Sequence, residues 1–88
     1  MQSDNAVVRQ LKILAEADPG ALVRVLQLFQ ARNLVPRRIT AARVDIEFLE
    51  IWIDIDPADC AQEAFRLVVA KIGELPIVIT AAVVTPSP

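Results

Sequence analysis

The sequence has no histidine and no tyrosine, a single cysteine and only two glycines among its 88 residues. Without histidine or a cysteine pair, common general bases and thiolate metal ligands are missing, and Cys60 alone cannot close an internal disulfide. Gly20 and Gly73 fall in separate turns and cannot form one phosphate-binding loop. We therefore expect a protein without catalytic residues, cofactor or metal site.

Charge and hydropathy argue against a nucleic-acid-binding protein and against a membrane protein. A net charge of −2 and a pI near 4.9 provide no attractive field for nucleic acid. Apolar residues make up 55% of the chain but occur in short blocks between charges, which predicts a packed domain and no membrane span. We expect one domain over residues 1–88, with an ordered core at about residues 6–84 and short flexible termini. The first residues lack the basic and apolar regions of a secretory signal, which predicts a cytoplasmic location.

Four segments have the composition of strands. We expect them at residues 7–15, 35–44, 48–56 and 77–84. The third gives the clearest pattern, because apolar residues alternate with Glu50, Trp52 and Asp54. Alternation of this kind predicts a sheet with one face in the core and the other face polar apart from Trp52.

Two helices are expected to begin at Asp-Pro pairs, because aspartate caps free N–H groups and proline fits the first turn. The first spans residues 19–32, with Asn33 closing it in a left-handed conformation, and the second runs from Asp56-Pro57 to Gly73. Their expected apolar stripes are Leu22, Val25, Leu26 and Phe29, and Ala61, Ala64, Phe65, Val68 and Ile72.

The order strand, helix, strand, strand, helix, strand predicts an α+β fold, the ferredoxin-like βαββαβ sandwich. Right-handed crossovers give a four-stranded antiparallel sheet of order 4-1-3-2 with both helices on one face. If Ile39 and Ala41 share the core face with Ile51 and Ile53, the loop between these strands has an odd number of residues, and Arg38 lies on the outer face.

Several residues have more than one interpretation. The basic cluster Arg32, Arg37, Arg38 and Arg43 either pairs with acids of the third strand or forms a subunit interface, where Arg38 over Trp52 would be a cation–π contact. The interface candidates are Arg37, Arg38 and Trp52. Trp52 favours partner contact over base stacking, and Cys60 favours a buried helix position over a reactive thiol. Asp54, Asp56 and Asp59 favour capping and solvent over a calcium site.

The stretch from Asp18 to Arg32, followed by Ile39-Thr40, resembles the start of the ACT domain in the small regulatory subunit of acetolactate synthase. The resemblance rests most on Gly20, Leu22, Arg24, Phe29 and Arg32. It implies a domain that binds a small ligand, usually an amino acid, between paired copies, many of which join side by side into an eight-stranded sheet.

The same resemblance implies ligand-binding positions at Asp18, Gly20, Ala21, Asn33 and Val35. Gly20 would let backbone donors at the helix start approach a ligand carboxylate. Valine-sensing small subunits have asparagine where this chain has Ala17 and Val35, and Asn33 lies close by but out of register. The loss of these amides leaves open whether an effector binds.

These observations lead to three hypotheses. The first is a non-catalytic accessory subunit of branched-chain amino-acid biosynthesis, homodimeric through ACT pairing and docking on an acetolactate synthase catalytic subunit. The second is a stand-alone homodimeric ACT domain that senses an amino acid or other small ligand, held between Gly20 and the Asn33 to Val35 loop of two chains. The third is a structural dimer without a ligand.

Overall fold

The computed structural model describes residues 9–84, which form a four-stranded antiparallel sheet with two helices. The elements are β1 (Arg9–Glu16), α1 (Pro19–Ala31), β2 (Arg38–Arg43), β3 (Phe48–Ile55), α2 (Gln62–Gly73) and β4 (Val78–Val84). The strand order β2-β3-β1-β4 is the predicted order read from the opposite edge, so the ferredoxin-like βαββαβ fold is confirmed. The expected strand start at Val7 lies outside the described residues.

The core lies on one face of the sheet. Alternate residues of the central strands are completely buried there, namely Leu11, Ile13, Ala15, Ile51, Ile53 and Ile55. They form one cluster with the buried residues of both helices, so α1 and α2 cover the same face. Burial of these branched side chains drives the two layers together, since each contributes roughly 1.5–3 kcal/mol relative to the exposed state.

The β2–β3 hairpin has the predicted register. Ile39 faces Ile53 and Ala41 faces Ile51, so these four residues share the helix-covered side of the sheet. Val44 donates its N–H to the carbonyl of Phe48 at 3.1 Å, which leaves a loop of residues 45–47. The odd loop length is confirmed, and Arg38 faces Asp54 across the strands on the outer side.

Helix α1 begins as predicted, because the Asp18 side chain accepts the N–H of Gly20 and Pro19 occupies the first turn. The buried stripe is Ala21, Val25 and Phe29, so it is centred on Ala21, and the predicted Leu22 and Leu26 are only half-buried beside it. Asn33 follows the C-cap with φ of 56°, which confirms the left-handed closure.

Helix α2 begins later than predicted. Asp56 accepts the N–H of Ala58 at 2.9 Å, as a helix-capping aspartate would, but the chain makes only one turn there. Ala61 then adopts an extended conformation, with φ of −62° and ψ of 155°, and caps a helix that starts at Gln62. Cys60 is buried as expected but lies in this turn and not in a helix, and Ala61 and Ala64 are exposed. The buried stripe of α2 is Phe65, Val68 and Ile72.

Candidate functional site

A pocket of about 370 Å³ opens beside the start of α1, on the helix-covered side of the sheet. Its walls come from the α1 entry, from β2 and from β3, with the lining residues Ala17, Asp18, Pro19, Leu22, Ala41, Arg43 and Leu49. The volume falls within the range of pockets that bind small molecules in proteins.

The pocket exists because the helices do not cover the edge of the sheet. On the helix-covered face, Ile51 of β3 is fully buried, yet its neighbour Ala41 on β2 is exposed. Arg43 follows on the same face of β2, opposite Leu49, and is exposed as well. β2 is an edge strand, and its surface beside α1 is not covered by any described element.

Asp18 and Gly20 lie at the N-terminus of α1, where Asp18 is the N-cap residue. The Asp18 Oδ1 atom accepts the N–H of Gly20 at 2.7 Å, and the Asp18 carbonyl accepts the N–H of Ala21 at 3.0 Å. A Cβ atom at Gly20 would lie 3.2 Å from Asp18 Oδ1, so the missing side chain keeps this approach open.

Arg43 supplies the positive charge of the pocket. Its Nη2 atom donates to the carbonyl of Ile46 at 2.8 Å, which holds the guanidinium against the hairpin loop. A guanidinium has five N–H donors, and this hydrogen bond uses one of them. The pocket therefore has one carboxylate, one guanidinium and otherwise apolar walls, an arrangement that suits a small zwitterion.

The residues predicted to bind a ligand divide into two groups. Asp18, Gly20 and Ala21 lie together at the start of α1, although the Ala21 side chain is fully buried and only its backbone can take part. Asn33 and Val35 follow the other end of the 13-residue helix, about 20 Å away within one chain. Val35 is 74% exposed. Within one chain, the two groups do not form one site.

On the outer face of the sheet, Trp52 contacts the charged side chains of Glu50 and Lys12. The Trp52 Nε1–H donates to Glu50 at 2.9 Å, and Lys12 forms an ion pair with Glu50 at 3.4 Å. The cation over the Trp52 ring is Lys12, at 5.1 Å, and not Arg38, which the subunit-interface alternative placed there, because Lys12 faces Trp52 directly across β1 and β3. The hydrogen bond from Trp52, aided by the charge of Lys12, lowers the pKa of the Glu50 carboxyl.

The other interface candidates lie at the β2 end of the same face. Arg38 is exposed opposite Asp54, whose carboxylate accepts a hydrogen bond from Gln10 at 2.8 Å. The Arg37 N–H donates to the backbone carbonyl of Asp54 at 2.7 Å. Leu14 also lies on this face opposite Glu50 and is half-buried, so Trp52 is not its only large apolar residue.

Four pocket-lining residues were not predicted to bind a ligand, namely Leu22, Ala41, Arg43 and Leu49. Strand parity placed Ile39 and Ala41 on the core face and would have placed Arg43 there too. An arginine on the core face of an edge strand is a signal for an open site, because a charge is not buried there without a partner. That the helices leave β2 uncovered depends on where they lie on the sheet, and no local sequence pattern indicates this.

Within residues 9–84 no group of three histidine, cysteine, aspartate or glutamate side chains is arranged to hold a metal ion.

The turn that contains Cys60 is hydrogen-bonded to β1, because the Cys60 carbonyl accepts a hydrogen bond from the Arg9 Nε–H at 3.1 Å. The Arg9 guanidinium also lies 6.0 Å from the centre of the Phe65 ring. These contacts join β1 to the turn before α2.

Comparisons with known proteins place this architecture. A family model described as an ACT-like domain matches residues 2–84. The ACT domain of the GTP pyrophosphokinase of Chlorobium tepidum, solved in solution, superposes with a TM-score of 0.66 over 92% of this chain and 89% of that chain, at 13% identity. The C-terminal domain of the MgtC protein from Mycobacterium tuberculosis superposes with a TM-score of 0.70 over 88% and 84% of the two chains, at 14% identity. No curated protein sequence matches this chain significantly.

Proposed function

This chain belongs to the ACT-like domain family, and on that premise we propose that it is a non-catalytic regulatory module whose pocket binds a small amino acid. ACT domains are generally regulatory modules that bind ligands. The observation that carries the proposal is that Asp18 and Arg43 both line an otherwise apolar pocket at the start of α1.

The ligand chemistry follows from the two charges. The Asp18 carboxylate is the partner for a ligand ammonium group, and Arg43 is the partner for a ligand carboxylate. Leu22 and Leu49 offer apolar surface to a side chain without charge. A zwitterion with a short aliphatic side chain satisfies all three surfaces, whereas a dicarboxylate or a diamine would bring an unpaired charge against apolar walls.

The test is isothermal titration calorimetry of the purified chain with each of the twenty amino acids. We expect heat from aliphatic amino acids and none from the matching amine or acid, each of which lacks one of the two charges. Absence of binding by all twenty at millimolar concentrations would contradict an amino-acid ligand. Binding of aspartate in preference to aliphatic amino acids would contradict the assignment of the apolar walls.

The sequence resemblance supports a finer proposal. Residues 18–32 and Ile39-Thr40 resemble the small subunit of acetolactate synthase, and on this basis the module would dock on an acetolactate synthase catalytic subunit as a homodimer. Copurification with that subunit, or activation of it, is the test. No effect on activity with saturating amounts of this protein would contradict docking on that subunit and leave the amino-acid sensor and the structural dimer as the remaining hypotheses.

No helix within residues 9–84 is both long enough and apolar enough to cross a membrane. The cytoplasmic location predicted from the sequence stays a prediction, as does a single domain spanning residues 1–88.

A further inference from the structure

The loop between β2 and β3, residues 45–47, is hydrogen-bonded to two walls of the pocket. On one side, the Arg43 Nη2 atom donates to the Ile46 carbonyl at 2.8 Å, and Arg43 lines the pocket. On the other side, the Ala17 N–H donates to the Glu47 carbonyl at 2.9 Å, and Ala17 lines the pocket as well. Because two wall residues are bonded to consecutive residues of the loop, the loop and the pocket do not move independently.

Asp45 holds this loop from within. Its Oδ1 atom accepts the N–H of Ile46 at 2.6 Å, and the carbonyl of the same residue accepts the hydrogen bond from Arg43. The chain of contacts therefore runs from the Asp45 carboxylate through the Ile46 backbone to the Arg43 guanidinium. A surface arginine loses rotamer freedom when it is held, so a guanidinium that the loop already holds loses less on binding a ligand. Asp45 acts on the pocket in this way although it does not line it.

We propose that ligand binding in the pocket and ordering of the 45–47 loop are coupled through Arg43, with Asp45 as a positioning residue. The inference rests on the proposed function, because it requires a ligand whose carboxylate Arg43 binds. The loop keeps the guanidinium in place for the ligand and, by reciprocity, the bound ligand keeps the loop in place. The coupling is positive, because both interactions need the same ordered side chain and the first to form reduces the entropy loss of the second.

The loop presents this change to solvent. Ile46 is 77% exposed, and Val44, directly before the loop, is 51% exposed. Ordering of the loop fixes the position of these two apolar side chains, which lowers the entropy cost of contacting them. Occupancy of the pocket is thereby displayed on a surface outside the pocket.

NMR relaxation of backbone amides measures the order of the loop. Saturation of the unmodified chain with L-valine should raise the order parameters of residues 45–47 by at least about 0.1. The turn at residues 56–60 does not line the pocket and should stay unchanged, so it is the internal control. Without ligand, Arg43→Ala should lower the order parameters of residues 45–47, because the hydrogen bond to the Ile46 carbonyl is lost.

Calorimetry with L-valine tests the role of Asp45. Asp45→Ala should weaken binding about threefold or more, because the loop no longer holds Arg43. Asp45→Asn keeps an oxygen that accepts the Ile46 N–H and should restore the affinity to within about twofold of the unmodified chain. Glu47→Ala is the matched control, because it removes the same charge from the same loop without removing the Asp45 hydrogen bond, and it should change affinity less than about twofold.

A double-mutant cycle separates positioning from a general effect on the fold. In the Arg43→Ala background, Asp45→Ala should change the affinity for L-valine less than about twofold, because Asp45 acts through the missing side chain. Circular dichroism and urea unfolding check that each variant is folded.

Two kinds of result would overturn the inference and leave the proposed function standing. One is L-valine that binds but leaves the order parameters of residues 45–47 unchanged or lowers them. The other is an equal loss of affinity in Asp45→Ala and Glu47→Ala, or a loss from Asp45→Ala that persists without Arg43. No heat from L-valine or from any other aliphatic amino acid would contradict the proposed function itself, and the inference with it.

Discussion

Arg38 and Arg43 occupy the two ends of β2 and lie on opposite faces of the sheet. Arg38 faces Asp54 on the outer side, whereas Arg43 faces Leu49 on the helix-covered side and lines the pocket. They lie five positions apart along the strand, and an odd spacing reverses the face. Two side chains of the same kind, on the same strand and both exposed, therefore have different expected roles.

Replacement of Arg43 by glutamine should weaken amino-acid binding about tenfold or more, because a charge-assisted hydrogen bond to the ligand carboxylate is lost. Arg38→Gln is the matched control and should change affinity less than about twofold, since this residue lies outside the pocket. Calorimetry measures both constants. Equal losses in the two variants would contradict the assignment of Arg43 to the ligand.

Asp18 has two roles that two substitutions separate. Asp18→Asn keeps an oxygen that accepts the Gly20 N–H but removes the charge, so the free energy of unfolding should change little while ligand binding weakens. Asp18→Ala removes the cap as well and should lower stability by about 1 kcal/mol. Urea unfolding and calorimetry report the two effects. Unchanged ligand binding by Asp18→Asn would exclude the carboxylate as the partner of the ligand ammonium.

The hydrogen bond between Trp52 and Glu50 on the outer face should make the free energy of unfolding depend on pH in the acid range. The pKa of Glu50 in the folded chain is lower than its ordinary value of 4.5, chiefly because Trp52 donates a hydrogen bond to it. Its stabilising contribution is therefore fully present above pH 4.5 and is lost as the pH falls through the lowered value. Glu50→Gln should abolish this part of the pH dependence, and Trp52→Phe should reduce it. Urea unfolding between about pH 7 and about pH 3, followed by circular dichroism, measures the slope. Equal slopes in all three proteins would contradict the coupling.

The core should respond to truncation far more than the hairpin loop does. Ile53 is fully buried, so Ile53→Ala should lower the free energy of unfolding by about 2–5 kcal/mol. Ile46 is 77% exposed at the tip of the β2–β3 loop, and Ile46→Ala should change it by less than about 0.5 kcal/mol. Thermal unfolding of the two variants measures the difference. A small effect of Ile53→Ala would mean that the sheet is not packed as described.

Much of the fold follows from local patterns. The alternation of β3 identifies its core face, and the parity of Ile39 with Ile53 fixes the hairpin register, since a shift of one residue would expose the whole apolar set. The Asp18-Pro19 cap gives the start of α1 because the capping hydrogen bond is local. These features depend on residues close together in the chain or directly opposite each other.

The features that the sequence did not predict depend on longer-range geometry. Asp56-Pro57 makes the same local hydrogen bond as Asp18-Pro19, but Ala61 breaks the turn and delays α2 to Gln62, a difference that the Asp-Pro pair does not encode. Lys12 lies over Trp52 because it is the direct partner of Trp52 on β1, whereas the direct partner of Arg38 on β3 is Asp54. The pocket lies where the edge strand β2 extends beyond the part of the sheet that the helices cover. It therefore depends on how the helix layer sits on the sheet, which no local sequence pattern specifies.

The strand order also governs how the chain reaches its folded state. β1 is hydrogen-bonded to β3 on one side and to β4 on the other, and β4 follows the other five described elements along the chain. During synthesis on the ribosome, the first strand remains without one neighbour until residues 78–84 have emerged. Without β4, one side of β1 has unpaired backbone N–H and C=O groups, so a nascent chain truncated before β4 should remain a target for chaperones and proteases.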